Sequence, residues 1–257
     1  MNALDPTHNI VAFLAAFAAG MVNALAGGGT LLTFPTMIWL GLNSVTANAT
    51  STVALWPFNV GATAGYWKEV KSVDKRMHYL NIPSAVGGLI GAILLKMTPT
   101  TTFDVMVPWL ILFATVLLML QAPIQKALKM SHAETHKGTQ WFVGAMVFQL
   151  FVGLYGGYFG AGIGIMMLAA LSIIGMTDIH EMNALKNILG GAVNAVAAIY
   201  FIASGMVYWP FVGIMAIGSI AGGFIGARMA QRIGRTMVRR IVILVGFGMA
   251  ISLFLKH

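Results

Sequence analysis

The sequence predicts an all-α polytopic membrane protein of two inverted repeats, each with about five membrane segments, of which one is short and broken. Its composition, its series of apolar segments and an internal repeat predict this class. Of 257 residues, 58% are hydrophobic and 9% charged, whereas soluble domains carry about 25% charged residues. So few charges cannot cover a soluble surface, and the 30 glycines suit close contacts between membrane helices.

Composition and motifs also exclude several classes of function. The chain has no cysteine, so it can form neither a disulfide nor a Cys-ligated metal site. Its net charge of +8 comes in short clusters between apolar runs, a pattern typical of membrane topology rather than of a nucleic-acid surface. The sequence lacks a phosphate-binding loop, a zinc-protease motif and a nucleophile elbow. We therefore expect no enzyme, no cofactor, no metal and no nucleic-acid partner.

Ten apolar segments follow one another along the chain. They lie at 9–26, 30–41, 45–67, 79–96, 103–121, 140–158, 163–175, 179–203, 208–228 and 235–255. The second and seventh are short, since twelve or thirteen helical residues span about 18–20 Å of a ~30 Å hydrocarbon core. Each follows a glycine cluster, at 27–29 or 160–164. We expect helices that break inside the membrane, and whether these two segments cross fully or re-enter is left open.

The two halves of the chain repeat each other. The run Gly87-Gly-Leu-Ile-Gly-Ala92 recurs as Gly222-Gly-Phe-Ile-Gly-Ala227, a shift of 135 residues. The same shift relates three polar pairs, which are Asn48 with Asn183, Ser51 with Lys186, and Asn59 with Asn194. Matches at one offset in separate segments indicate a duplication. We predict a first repeat at 1–121, a cytoplasmic linker at 122–139 and a second repeat at 140–257. For Gly87, Gly88, Gly222 and Gly223 we expect a role in helix packing.

The distribution of basic residues predicts how the halves are oriented. Twelve of the 15 lysines and arginines lie in 68–78, 122–139 and 228–240, which the positive-inside rule places in the cytoplasm. By the repeat, loop 68–78 corresponds to 203–213, which has no lysine or arginine. The halves therefore carry opposite charge bias. They should be inverted, with five crossings each and both chain termini outside.

A polar stripe runs along segment 179–203. Its members Asn183, Lys186, Asn187, Gly190 and Asn194 recur every three or four residues, so they share one face of a helix. A lysine inside a membrane costs about 2.5–3.5 kcal/mol on insertion scales. Either neighbouring backbone carbonyls satisfy its ammonium group, or it binds an anion. We favour the anion site.

Both halves carry motifs of a known family. The runs Gly27-Gly-Gly-Thr-Leu-Leu-Thr-Phe-Pro35 and Ala47-Asn-Ala-Thr-Ser-Thr-Val-Ala-Leu-Trp-Pro57 resemble the first-half signature of the sulfite exporter TauE/SafE family. Asn183-Ala-Leu-Lys-Asn187, Asn194 and Gly222-Gly-Phe-Ile-Gly-Ala-Arg228 are similar to its second half. The resemblance covers about 10 to 255. It implies a multi-pass permease of the bacterial inner membrane for small anions, often sulfite, sulfonates or related organosulfur compounds.

The repeat also suggests where a substrate would bind. Broken helices in inverted repeats direct their N-terminal N–H groups towards the membrane midplane, and glycines there either let the backbone approach an oxyanion or serve helix packing. Segments starting at Thr30 and Gly164 would point in this way. The candidate substrate-binding residues are Lys186, Asn183, Asn187, Asn194, Asn48, Ser51, Asn59, Gly28, Gly29, Thr30, Gly162 and Gly164.

We expect a secondary permease that moves small anions, most of all sulfite or organosulfur compounds, by alternating access. An anion channel and a non-transporting membrane subunit are the alternatives. All seven acidic residues fall in loops or at segment ends, so no buried carboxylate proton relay is expected. The expected partners are a small anionic substrate and the lipid bilayer, and a homo-oligomer is left open.

Overall fold

The regular structure of the protein is helical throughout the part of the chain that can be described. The computed structural model describes residues 6–25, 28–65, 67–130, 139–174, 176, 178–229 and 235–256. The helices are α1 Pro6–Leu25, α2 Thr30–Trp39, α3 Ser44–Gly65, α4 Trp67–Ser72, a 3-10 helix Lys75–Leu80, α5 Asn81–Met97, α6 Thr100–Met130, α7 Thr139–Tyr158, α8 Ile163–Ile173, α9 Ile179–Ala203, α10 Trp209–Met229 and α11 Arg235–Lys256.

Each of the ten apolar segments coincides with a helix, which confirms the all-helical prediction. The two short segments form short helices, because α2 has 10 residues and α8 has 11. At 1.5 Å per residue they are about 15 to 17 Å long. Gly41 ends α2 with a positive φ of 94°, and the amides of Gly41 and Leu42 donate to the carbonyls of Ile38 and Met37. This Schellman closure favours glycine, which adopts a left-handed conformation without a Cβ penalty.

Two connections differ from the predicted boundaries. Loop 68–78 is mostly helical, because α4 and the 3-10 helix occupy it. Helix α6 continues to Met130, so the first part of the predicted linker 122–139 is helical as well. Residues 131–138 of the linker and residues 230–234 of the last basic cluster lie outside the described residues.

Several helices suit a membrane. Within the described residues, three helices are long and apolar enough to cross a membrane by length and composition, and they lie at Lys75–Met97, Thr100–Leu120 and His180–Ala203. Five shorter helices are apolar as well. Large hydrophobic side chains are exposed along the outer faces of α5, α6, α7, α10 and α11. Exposed apolar surface of this extent indicates contact with lipid. By contrast, no large hydrophobic side chain described in α3 or α8 is exposed, so these helices lie inside the bundle.

Backbone-to-backbone contacts join two helix pairs, α1 with α10 and α5 with α7. A Cβ atom added at Gly222 would collide with the carbonyl oxygen of Phe17, and one at Gly87 with that of Leu150. Gly88 faces the backbone of Val193 in the same way, and Gly223 faces the ring of Phe58. The predicted packing role of these four glycines is therefore confirmed, because each lets another helix approach to a distance that a larger side chain would prevent.

We expect Gly157→Ala to destabilise the protein, because its new Cβ atom would meet the carbonyl oxygen of Gly88 and overpacking costs about 1–3 kcal/mol. Gly144→Ala is the matched control in the same helix, since no heavy atom lies within 4 Å of a Cβ atom there. The measurement is the midpoint of thermal unfolding in detergent. Equal midpoints for the two variants would contradict the close α5–α7 contact.

Candidate substrate-binding site

Lys186 lies in the interior of the bundle beside α8. Its Nζ atom donates a hydrogen bond to Asn183 Oδ1 at 3.2 Å, one helical turn earlier on α9. Its methylene stem crosses Gly164, where an added Cβ would lie 3.3 Å from Lys186 Cδ. The side chain is half-buried. Three predicted residues therefore meet here, and the absence of a side chain at position 164 gives the lysine stem its room.

An elbow between α7 and α8 sets the position of Gly164. Tyr155 builds it, because its hydroxyl donates to the Ala161 carbonyl at 2.8 Å and its carbonyl accepts from the amides of Phe159 and Gly160. Gly162 immediately precedes α8 with φ 81°, a backbone conformation that favours glycine. The elbow ends α7 and starts α8 within a few residues.

The start of α2 has a related construction. Gly28 has a positive φ of 96°, and the amide of Gly29 donates to Asn23 Oδ1 at 2.8 Å. A Cβ atom on Gly28 would lie 3.7 Å from Leu118, and one on Gly162 would lie 3.7 Å from Ala114. Leu118 and Ala114 are four residues apart on α6, so they share one face. The beginnings of both short helices therefore adjoin the same face of α6. Thr30 is half-buried at the start of α2, and position 27 lies outside the described residues.

The polar residues of α3 have different partners. Ser51 Oγ lies 2.5 Å from Thr33 Oγ1 on α2, and Asn48 Nδ2 donates to the Tyr158 carbonyl at 2.9 Å. Asn59 reaches α9, where its Oδ1 would lie 4.0 Å from a Cβ atom on Gly190. Of the three predicted residues, Asn59 therefore meets the α9 stripe, while the hydrogen bonds of Asn48 and Ser51 go to α7 and α2.

The stripe on α9 faces inwards. Gly190 lies in the middle of the stripe, and a Cβ atom added there would lie 4.0 Å from Asn59 Oδ1 on α3 and 4.0 Å from Met167 Sδ on α8. Asn187 and Asn194 are half-buried. These two amides and Lys186 thus lie on a helix whose polar face is turned to α3 and α8 rather than to the outer surface.

Several residues of this region were not predicted from the sequence. Thr33 bonds Ser51, Asn23 bonds the start of α2, and Tyr155 forms the elbow. Thr33 follows Thr30 by one helical turn, so helical spacing was a signal that could have identified it. For Asn23 and Tyr155 no such signal exists, because each takes its role from the loop that it contacts.

Aromatic side chains join α2 to the elbow and to α6. The ring of Phe34 lies edge-on to Phe159 at 5.3 Å and to Phe103 at 6.4 Å, and Phe103 lies 5.6 Å from Tyr158. Phe34, Phe103 and Phe159 are at most 1% exposed. The cluster holds the two short helices relative to each other, since α2 carries Phe34 and the elbow carries Phe159.

An open cavity of about 490 Å³ lies elsewhere, between α5, α6 and α7. Its lining residues are Leu94, Met97, Thr98, Pro99, Thr102, Met106, Leu154 and Tyr158. None of them is charged and none is a predicted substrate-binding residue. This apolar cavity is therefore a poor site for an anion, because nothing in its lining would compensate the negative charge.

Comparison with known proteins assigns the family. A family model described as sulfite exporter TauE/SafE matches residues 12–253. The chain belongs to this family. No solved structure matches it.

Curated relatives of this TauE/SafE protein are named as membrane transporters. It is 27% identical over 241 residues to a "Probable membrane transporter protein" of Haemophilus influenzae, covering 93% of this chain and 91% of the relative. It is 25% identical to the "Probable membrane transporter protein ORF9" of Sinorhizobium sp, with coverages of 97% and 94%. The Escherichia coli K12 "Probable membrane transporter protein YfcA" is 25% identical, with coverages of 95% and 88%. The chain is therefore a membrane transporter of the TauE/SafE type.

We expect Phe34→Ala to destabilise this TauE/SafE protein by about 3–5 kcal/mol, because truncating a fully buried phenylalanine leaves a cavity. Phe151→Ala is the matched control, since Phe151 is 61% exposed on the outer face of α7. Thermal unfolding of both purified variants measures the difference. A Phe34→Ala protein as stable as Phe151→Ala would show that the aromatic cluster does not hold α2 in place.

Proposed function

We propose that this TauE/SafE protein is a secondary permease for small anions, most of all sulfite or organosulfur compounds such as sulfonates, in the bacterial inner membrane. The observation that carries the proposal is the position of Lys186 on the inward polar face of α9, where its ammonium group bonds Asn183 and its stem crosses Gly164. A positive charge in that position is costly without a function. An anionic substrate would bind there, because a charge-assisted hydrogen bond to the ammonium group would hold it.

The proposed site lies between α3, α8 and α9. Lys186 would supply the charge, while Asn183, Asn187 and Asn194 would supply N–H donors on the same face of α9. An oxyanion of pyramidal or tetrahedral shape can accept hydrogen bonds from several directions at once. Asn59 would approach from α3, and the backbone at Gly162 and Gly164 from the start of α8. Of the remaining predicted residues, Gly28, Gly29 and Thr30 would contribute from the start of α2. Asn48 and Ser51 are not assigned to the anion site, because their hydrogen bonds go to α7 and α2.

Inverted repeats supply the alternating access in this proposal. In the repeat, α1 corresponds to α7, α2 to α8, α3 to α9, α5 to α10 and α6 to α11. When each helix is replaced by its counterpart, three observed helix contacts become three other observed contacts. The pair α1–α10 becomes α7–α5, α5–α9 becomes α10–α3, and α2–α11 becomes α8–α6, and all six pairs are in contact. This correspondence supports two related halves, at 1–121 and 140–257, joined by a cytoplasmic linker. One half would rock against the other around the site.

In the proposed topology, both chain termini are outside. The basic side chains of the connection between α3 and α5 support this orientation, because Lys68, Lys71, Lys75 and Arg76 are all exposed. Positive residues concentrate on the cytoplasmic side of membrane proteins. The connection between α9 and α10 would then lie outside.

We expect Lys186→Met to reduce anion flux about 10- to 100-fold per folded molecule, because a hydrogen bond to a charged group contributes about 1.5–3 kcal/mol. Flux of sulfite, thiosulfate, sulfate, sulfoacetate and acetate is measured in proteoliposomes of the purified chain. Lys186→Arg should retain part of the flux with altered selectivity, since a guanidinium group binds oxyanions with a different geometry. Lys96→Met is the control, because Lys96 is an exposed lysine above the Tyr200 ring.

Three outcomes would contradict the proposal. Wild-type flux from Lys186→Met would remove the assigned role of that residue. Absence of flux from the wild-type chain would favour a non-transporting subunit. Flux that neither saturates nor rises with anion on the opposite side would favour a channel, because alternating access requires both properties.

Single cysteines test the topology, because the native chain has no cysteine. Ser72→Cys lies in the exposed end of α4 and Ser204→Cys follows α9. A membrane-impermeant maleimide should label position 204 in intact cells and position 72 only in inverted vesicles. Labelling of both positions from one side would contradict the inverted arrangement.

A further inference from the structure

Two equivalent positions of the repeat differ in charge. The shift of 135 residues that relates Asn48 to Asn183 also relates Ser51 to Lys186. In the second half, the Lys186 ammonium group donates to Asn183 Oδ1. In the first half a neutral serine stands at the position of the lysine. The equivalent oxygen, Asn48 Oδ1, is buried and accepts no hydrogen bond from the described residues.

The hydrogen bond of Asn48 fixes which of its amide atoms is unpaired. Its Nδ2 atom donates to the Tyr158 carbonyl, so Oδ1 must point away from that carbonyl. Asn48 is only 1% exposed. A buried acceptor without a donor is rare in native structures and indicates strain or a function such as ligand binding.

A further oxygen atom lies on the same face of α3 as this acceptor, and it is hydrogen-bonded to one on α2. Ser51 is three residues after Asn48 on α3, so the two side chains share a face. The hydroxyl of Ser51 lies 2.5 Å from that of Thr33, and both residues are 0% exposed. Tyr158 is the last residue of α7, and the C-terminal end of a helix carries partial negative charge. Asn48 thus links α3 to the C-terminal end of α7, and Ser51, one turn later on the same face, links α3 to α2.

This set of ligands suits a small cation of low charge. Calcium and magnesium sites rely on carboxylates, and the described residues contain no group of three histidines or acids that could hold a metal ion. Protons are unsuitable as well, because amide and hydroxyl groups do not titrate near neutral pH. Transporters with broken helices coordinate Na⁺ by carbonyl oxygens and half-helix C-terminal ends.

We propose that Asn48 Oδ1 and the hydroxyls of Ser51 and Thr33, near the C-terminal end of α7, bind a monovalent alkali cation, with Na⁺ as the ion. The inference rests on the proposed permease. In the second half of the chain the positive charge is the Lys186 ammonium group, which is bonded to Asn183, and in the first half a bound cation would take the equivalent position. The substrate anion would then be bound with a co-transported ion. Transport would depend on the Na⁺ gradient.

Thermal unfolding of the purified chain in detergent tests this site without any transport. Na⁺, K⁺ and N-methyl-D-glucamine are supplied as gluconate salts at equal ionic strength. Na⁺ should raise the unfolding midpoint of the wild type saturably and by several degrees, and the other two cations should not. Linkage predicts this shift, because an ion that binds only the folded state stabilises it.

Hydroxyl deletions identify the ligands. Ser51→Ala and Thr33→Val should raise the Na⁺ concentration for half-maximal stabilisation at least about tenfold, the loss expected for one good ligand contact. Ser84→Ala is the matched control, because Ser84 is also 0% exposed but its hydroxyl donates to the Leu80 carbonyl in α5. It should keep the wild-type Na⁺ response.

Ser51→Lys would give the first half its own tethered ammonium group. Its unfolding midpoint should no longer respond to Na⁺, because the lysine would occupy the position of the ion. If that variant fails to fold, Ser51→Ala and Thr33→Val decide the question. No greater stabilisation by Na⁺ than by K⁺, or an unchanged Na⁺ response in both hydroxyl variants, would overturn the cation site.

A parallel titration separates this inference from the proposed function. Sulfite and sulfoacetate are added to the wild type and to Lys186→Met as N-methyl-D-glucamine salts, without Na⁺. Stabilisation of the wild type by an anion but not by Na⁺ would overturn the cation site and leave the anion permease intact. Stabilisation by Na⁺ with no response to either anion, also in a repeat of the titration with sodium gluconate present, would overturn the permease proposal instead.

Discussion

Hydrocarbon offers no hydrogen bonds, so each polar group inside a membrane protein must find its partner within the protein itself. This requirement applies especially to the short helices α2 and α8. A helix of about 15 Å does not span the membrane, so one of its ends lies away from water, where the terminal amides or carbonyls have no partner within the helix. Asn23 accepts from the Gly29 amide, and Tyr155 donates to the Ala161 carbonyl. Asn48 binds the carbonyl that ends α7. Side chains from α1, α3 and α7 thus support the points where the helices break.

Glycine makes the rest of the arrangement possible. Where α1 meets α10 and α5 meets α7, glycines such as Gly87 and Gly222 bring two backbones together, while α3 and α8 lie inside the bundle. Gly164 has another role, because its missing side chain accommodates the stem of Lys186. Close packing of the outer helices and space for one charged side chain are therefore two uses of the same residue type.

Much of the fold could be predicted from the sequence, because apolar length and glycine clusters directly determine where membrane helices begin and end. The short helices α2 and α8 begin at or next to the predicted positions, and the packing glycines of α5 and α10 contact neighbouring helices. The hydrogen-bond partners within the site could not be predicted. Asn48 and Tyr158 are 110 residues apart, and Ser51 and Thr33 are 18 apart. Helical spacing relates residues on one helix, whereas these pairs depend on how different helices pack.

Positions that the shift of 135 residues pairs carry different chemistry in the two halves of the chain. Lys186 and Ser51 occupy equivalent positions, yet one carries an ammonium group and the other a hydroxyl paired with Thr33. Positive charge thus enters the proposed site from the second half of the chain. In the first half, neutral polar groups stand in the equivalent place, and among them the buried Asn48 Oδ1 is an acceptor that a cation can occupy.

The central claim is that the ammonium group of Lys186 holds the substrate anion. Anomalous X-ray scattering from crystals grown with selenite tests it most directly, because selenite has the pyramidal shape of sulfite and selenium is absent from the native protein. The account predicts one anomalous peak within hydrogen-bonding reach of Lys186 Nζ and bordered by α8 and α9. A peak elsewhere in the bundle, with none beside Lys186, would contradict it.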